Sequence, residues 1–475
     1  MRLTRRVTAL VWAALAILAL PAAGQPPTVE VDLEAAVALA LARNPALAAV
    51  EERLREVAGG VREARAEAFP QLTGRASWAA SRNPAFLNSP DFEDIIAQFP
   101  GGDFEPSEQR LYSTGVEVSQ PLYTFGKISA AVSLAERVVE VTDAQIAAAR
   151  LEVALDAAEA YYELLAAREA LAVGEVQERV RREALGVVEA RYELGEATRL
   201  ELLRSQAALA QVAPTVAGLR GDVEVAESRL RRVLGTEPGV VVEVRDGNRG
   251  SGPAGPRDLP EPPDLASLLR RAESRPELAD LALQRDVLAH RQSVIAADGK
   301  PQVELDAFLG RQVRELDNVS DPLYDDYSVA LGVTWSFFDG GRRKGQIAQL
   351  ESQRRQLEHR RRDLAAEIHQ EVAEALTGYR TAVARWRAAQ AAAEASREAA
   401  RVAREGYQEG VALQADWLDA QRQETETEIE AVEAFYDARQ EAARLARAVG
   451  VLPGEGLPAG TSAAGEPPGA EESTR

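Results

Sequence analysis

The sequence predicts an internally duplicated α+β membrane protein. Four transmembrane strands per chain contribute to a β-barrel shared between chains, and long helical hairpins continue it as an α-helical barrel. Three observations carry this. Gly126, Gly195 and Gly235 recur as Gly341, Gly410 and Gly450 at one constant offset of 215 residues, the mark of a duplication. Four segments of roughly ten residues alternate between apolar and polar positions, the length and pattern of a tilted membrane-spanning strand. Between them run helical stretches far longer than a globular domain needs.

Composition supports an elongated helical chain: of 475 residues only 5% are aromatic, while 27% are charged. Arg2, Arg5 and Arg6, an apolar run Val7–Leu20 and the small residues Ala22, Ala23 and Gly24 predict an export signal over 1–24 with Gln25 as mature start. The run falls short of the roughly 20 residues that span a bilayer. Zero cysteines exclude disulfides, thiolate metal sites and a cysteine-borne lipid anchor. A net charge of −20 argues against nucleic acid as partner.

The first repeat is expected over 25–244. Leu33, Val37, Leu41, Leu47, Val50, Leu54 and Val57 fall at helical spacing, with Pro45 bending the helix or starting a new segment. In Leu72–Arg82 the residues Leu72, Gly74, Ala76, Trp78 and Ala80 face one way, and Thr73, Arg75, Ser77, Ala79 and Ser81 the other. Asn83–Arg110, with four prolines, predicts a loop holding one helical turn around Phe92–Ala97. Tyr112, Thr114, Val116 and Val118 then alternate with Ser113, Gly115, Glu117 and Ser119 as a hairpin partner. Lys127–Tyr192 reads as one helix on the order of 100 Å long, at 1.5 Å per residue. A turn at Leu194–Thr198 leads back into helix Arg199–Leu234, which Pro214 is expected to kink. Val240–Val244 predicts a brief strand.

A Pro/Gly linker is expected over 245–264, the second repeat over 265–452 and a disordered tail over 453–475. The second repeat restates the order: helix 265–298, strand Val303–Gln312, a loop to Asp326, strand Tyr327–Phe337, then helices 342–408 and 413–449 about Gly410. On the strands Glu117, Glu304 and Asp306 fall on the faces opposite the apolar ones. Four strands cannot close a barrel with a wet lumen, so several chains must share one. Narrow apolar stripes such as Val132, Ala135, Val139, Thr142, Ile146, Ala149 and Val153 suit side-by-side helix packing into a tube.

The paired motifs QPLYTFGK and SFFDGGRRK, the turns RYELGEATRLELLRSQ and GYQEGVALQADWLDAQRQ, and the NP/RP helix openings resemble the TolC-type outer-membrane efflux protein family over about Val31–Gly450. The resemblance implies a homotrimer with a twelve-strand barrel in outer-membrane lipid of a Gram-negative-type cell and a long periplasmic extension. It also implies docking to a periplasmic adaptor protein and, through it, to an inner-membrane pump. Thr124-Phe125 departs from the family's acidic-Gly pair before Gly126, and Ser336 stands where the family has proline. Pro121 and Gly126, and Asp339, Gly340 and Gly341, mark the two strand-to-helix junctions.

No catalytic constellation, cofactor motif or metal cluster emerges, and His290, His359 and His369 are scattered through charged helical stretches. The expected function is that of a passive exit duct for efflux or type I secretion, gated at its periplasmic end. An exported coiled-coil scaffold is the alternative, but it would not require the two-faced strands. Leu194, Gly195 and Glu196, with Gly410, Val411 and Ala412, are the expected adaptor-docking tips. Asp416 and Asp419, three residues apart on one helix face near the second tip, match family positions of the periplasmic constriction. Glu201 is the acidic residue that recurs in the first copy, where Arg204 stands in place of the second aspartate.

Overall fold

The computed structural model describes residues 28–82, 108–236, 241–245 and 259–454. The expected export signal, the turn at Phe92–Ala97, most of the linker and nearly all of the tail lie outside these residues. The elements in order are β1 (Thr28–Val31), α1 (Leu33–Arg43), α2 (Pro45–Ala66), β2 (Gln71–Ser81), β3 (Gln109–Tyr123), α3 (Lys127–Glu193), α4 (Arg199–Leu234), β4 (Val241–Val244), α5 (Leu265–Ala272), α6 (Pro276–Ala297), β5 (Gln302–Val313), β6 (Asp325–Thr334), α7 (Arg342–Gln408) and α8 (Gln414–Ala448).

Two prolines divide what periodicity alone reads as single helices. Asn44 closes α1 and caps α2: its side-chain oxygen accepts from Ala46 N (2.9 Å) and its amide donates to Val233 O (3.0 Å). Pro45 and Pro276 each occupy the first helical position, where a missing N–H costs nothing. The expected helix 265–298 is therefore two helices. At the break, buried Arg275 pairs with Glu371 (2.6 Å) and donates to Ala448 O (3.2 Å). Pro214, by contrast, lies inside α4 without interrupting it.

The chain divides into two compact units that do not follow the repeats; each draws on both. One comprises the residues up to Ala49, Ala148–Arg275 and those from Glu367 on. Its core joins Leu47, Tyr161, Leu164, Leu230, Leu234 and Tyr436, all essentially excluded from solvent. β1 and β4 pair here in parallel, Thr28 opposite Val241, a partnership that four-residue segments do not announce in sequence. Tyr161 anchors this ribbon by donating to Arg245 O (2.6 Å).

The second unit comprises Val50–Ala147 and Pro276–Ala366 and carries an antiparallel sheet in the order β2-β3-β5-β6. Its register places Leu72 opposite Val118, Val116 opposite Leu309, Leu309 opposite Tyr327 and Leu305 opposite Leu331. These residues make one continuous apolar face, and Leu72, Leu309, Tyr327, Val329, Leu331 and Val333 stand exposed on it. The opposite face carries Arg75 paired to Glu117 (2.7 Å), Ser119 bonded to Glu304, and Asp306. Phe308 lies over Gly115 and Gly310; a Cβ at Gly115 would sit 2.7 Å from the Phe308 ring. β6 ends at Thr334, short of the expected Phe337. Trp335, Phe337 and Phe338 follow it as exposed aromatics, with Trp335 Nε1 donating to Gly299 O (3.1 Å). The loop after β5 holds two short 3₁₀ turns, Leu316–Ser320 and Pro322–Tyr324. Among the described residues no single helix is long and apolar enough to cross a membrane.

Candidate functional site: the hairpin tips and strand-to-helix junctions

Both hairpins turn on a glycine in the left-handed region, Gly195 at φ 77° and Gly410 at φ 78°. That geometry lets the tip amides double back on the preceding helix: Glu196 N reaches Arg191 O (2.8 Å), and Val411 N and Ala412 N reach Gly406 O (2.9 and 3.0 Å). Leu194, Gly195, Glu196, Gly410 and Val411 are exposed, Val411 to 80%, while Ala412 is half-buried.

The returning helices start differently. Thr198 caps α4 in a reciprocal box: its hydroxyl accepts from Glu201 N (3.2 Å) and Glu201 Oε2 accepts from Thr198 N (2.6 Å). The backbone bond from Thr198, with help from the Thr198 and Tyr407 hydroxyls, holds the Glu201 carboxyl below its ordinary range. At α8 the cap position is Leu413, which makes no side-chain cap bond. Asp416 occupies the third helical position there, as Glu201 does in α4. Asp416 and Asp419 both lie exposed on one side of α8, opposite buried Gln414, Trp417 and Gln421. Glu201 is half-buried and engaged, so the structure distinguishes it from the two aspartates.

Residues that sequence reasoning did not single out knit the tips together. The Tyr407 hydroxyl donates to Glu201 Oε1 (3.3 Å), and Gln414 Nε2 donates to Glu201 O (2.9 Å) and Ser205 Oγ (2.8 Å). Tyr407 stacks on Trp417 at 5.2 Å, with the Arg191 guanidinium 5.4 Å above the Tyr407 ring. One signal was available: Tyr407 precedes Gly410 by the same interval that separates Tyr192 from Gly195.

At the junctions, Asp339 accepts from Gly341 N (3.0 Å) and from Arg343 N and Nε (3.1 and 2.6 Å); the Arg343 side chain chiefly holds its carboxyl below the ordinary range. Gly340 and Gly341 take φ 65° and 90°. In the first copy the Thr124 hydroxyl supplies a long contact to Ile128 N (3.5 Å) and its carbonyl accepts from Lys127 N (3.0 Å), while Phe125 takes φ 48° beside Gly126 at 86°. Pro121, which offers no N–H, sits where the β3–β5 register shifts. His290 lies on α6, and His359 and His369 on α7, at three separate positions.

An open sheet with one apolar and one polar face, joined to paired helical hairpins, is the fold of an outer-membrane channel. The CmeC outer membrane channel of Campylobacter jejuni shares this fold at a TM-score of 0.68 and 17% identity, covering 88% of this chain and 85% of that one. The chain belongs to the outer membrane efflux protein family, which it matches over residues 36–236 and 269–451. That family is one of outer-membrane proteins, not enzymes. Protein CyaE of Bordetella pertussis is 27% identical over 337 residues, 70% of this chain and 66% of CyaE. The alkaline protease secretion protein AprF of Pseudomonas aeruginosa is 25% identical over 275 residues, 56% of this chain and 55% of AprF. The matches thus span just under two thirds and just over half of these relatives.

Proposed function

We propose that this outer-membrane protein is the exit duct of a tripartite efflux or type I secretion system. In this reading three protomers close one twelve-strand barrel, their hairpins form a tunnel, and the tips dock a periplasmic adaptor that links the duct to an inner-membrane pump. The observation that carries it is the β2–β6 sheet: an exposed apolar face backed by Arg75, Glu117, Glu304 and Asp306, with β2 and β6 as open edges among the described residues. Among the described residues of a single chain nothing covers that apolar face, and closing the edges within lipid satisfies both faces and both edge backbones. The likeness to AprF supports a secretion role, and a coiled-coil scaffold would leave the sheet unexplained.

The native chain has no cysteine, so engineered ones report without background. Cysteine pairs, one on β2 at Ser77 or Ala79 and one on β6 at Ser328 or Ala330, are expected to give a cross-linked ladder ending at the trimer. Monomer alone across all pairs would overturn the closure. Asp416 and Asp419 are proposed to line the periplasmic aperture, as exposed carboxylates three residues apart on each of three chains. Asp416→Ala with Asp419→Ala should raise the concentration of multivalent cation that blocks conductance from the periplasmic side. Unchanged block would make the pair ordinary surface residues.

A further inference from the structure

The second compact unit holds a cavity of about 530 Å³ among α3, α6 and α7. This is within the range of roughly 300–1,000 Å³ that ligand pockets occupy. Val138 and Val141 of α3, Val287 and Leu288 of α6 and Leu357 of α7 give it an apolar body. Its polar groups are Gln284, Gln353, Gln356 and Arg360, and no acidic side chain lines it. Gln284 commits its amide nitrogen to Asp280 (2.7 Å), which leaves Gln353, Gln356 and Arg360 as the donors. These three follow one another at intervals of three and four on α7 and so share one face. Arg360 has no hydrogen-bond or ion-pair partner among the described residues.

Among the described residues, Arg360 is the one charged group that lines the cavity. A guanidinium at the edge of an apolar hollow selects a ligand with one anionic end and one apolar end. We propose that this cavity binds a single-chain amphiphilic anion, its headgroup on Arg360 and the Gln353 and Gln356 amides, its tail against Val138, Val141, Val287 and Leu288. The same chemistry could come from a bilayer lipid or from a free amphiphile. Residues 353–360 lie about 17–27 Å along α7 from Arg342, at 1.5 Å per residue. That separation from the strand end takes the cavity out of reach of a lipid whose tail stays in the bilayer, so the ligand is a free amphiphile. This site goes beyond the duct reading, which requires only a passage.

The test uses the full chain in nanodiscs of zwitterionic lipid and a photoactivatable dodecanoate, with labelled peptides mapped by mass spectrometry. Saturable labelling is expected within peptides containing 138–141, 284–288 and 353–360, and unlabelled dodecanoate should compete at least tenfold better than dodecyltrimethylammonium. Arg360→Gln should weaken dodecanoate competition about tenfold while leaving that of dodecanol unchanged. Val287→Trp, which fills the hollow, should abolish saturable labelling; if that variant does not fold, Gln356→Glu should weaken dodecanoate by placing a like charge at the headgroup. Equal competition by anion and cation, or labelling indifferent to the folded cavity variants, overturns the site. Loss of labelling when the discs contain anionic phospholipid overturns the free-amphiphile assignment.

Discussion

Phe125 holds a left-handed backbone at the position that Gly340 fills in the second half. A side chain there costs about 1–2 kcal/mol, and the edge contact of Phe125 with Tyr123, at 4.5 Å, returns about 0.5–1.5 kcal/mol. Phe125→Gly should therefore fall between a gain of about 1.5 kcal/mol and a loss of about 0.5 kcal/mol. Gly340→Ala, whose Cβ would meet nothing within 4 Å, should lose about 1–2 kcal/mol through the backbone alone. Thermal unfolding of the two variants side by side checks this, and a Gly340→Ala protein as stable as the parent would remove the strain argument. Glu201 adds a pH dependence. Its folded carboxyl is held below the ordinary range, so its contribution is present above the unfolded value and is lost as pH falls through the folded one. Hydrogen exchange at Thr198–Glu201 should quicken, relative to the core, as pH falls below the ordinary carboxylate range, and Glu201→Gln should flatten that profile.

Along the hairpins the packing changes character. Near Tyr161, Leu230 and Tyr436 the helices enclose an apolar core, whereas toward the tips Gln177, Arg181, Gln414, Trp417 and Gln421 each bury a polar atom with no partner. Each such atom costs about 1–3 kcal/mol, so the tip third is the less stable part of α3 and of α8. Amides of 414–421 should exchange well before those of 432–446, and Gln421→Leu should narrow the difference; uniform protection along α8 would show that these atoms find partners in the assembled protein. Element identity is largely legible in the sequence because 67-residue helices and alternating strands repeat their signal many times. The β1–β4 ribbon is not, since four residues carry no distinctive period. The tip glycines and Asp416 are legible through local turn chemistry. Ser205 and Gln414 are not, because the bonds that join them to each other and to Glu201 cross about 200 residues of chain and leave no local pattern; Tyr407 leaves only the interval to its glycine that Tyr192 repeats.

For the molecule entire, the duplication visible in sequence and the units that pack are different divisions. α3 and α7 each pass from one unit into the other, and Arg447 in the last helix pairs with Glu152 in the first long one, 295 residues away. A cut in the linker that separates the repeats should therefore yield two halves neither of which folds alone; stable secondary and tertiary structure in either half expressed separately would contradict this. Contacts of such sequence separation form slowly, because the chain entropy of closing the loop is lost before any contact repays it. The first unit cannot close until α8 has been delivered. During export the apolar stripes of the first unit thus stay unsatisfied until the last helix arrives, so the emerging chain is expected to aggregate unless it is held apart until then.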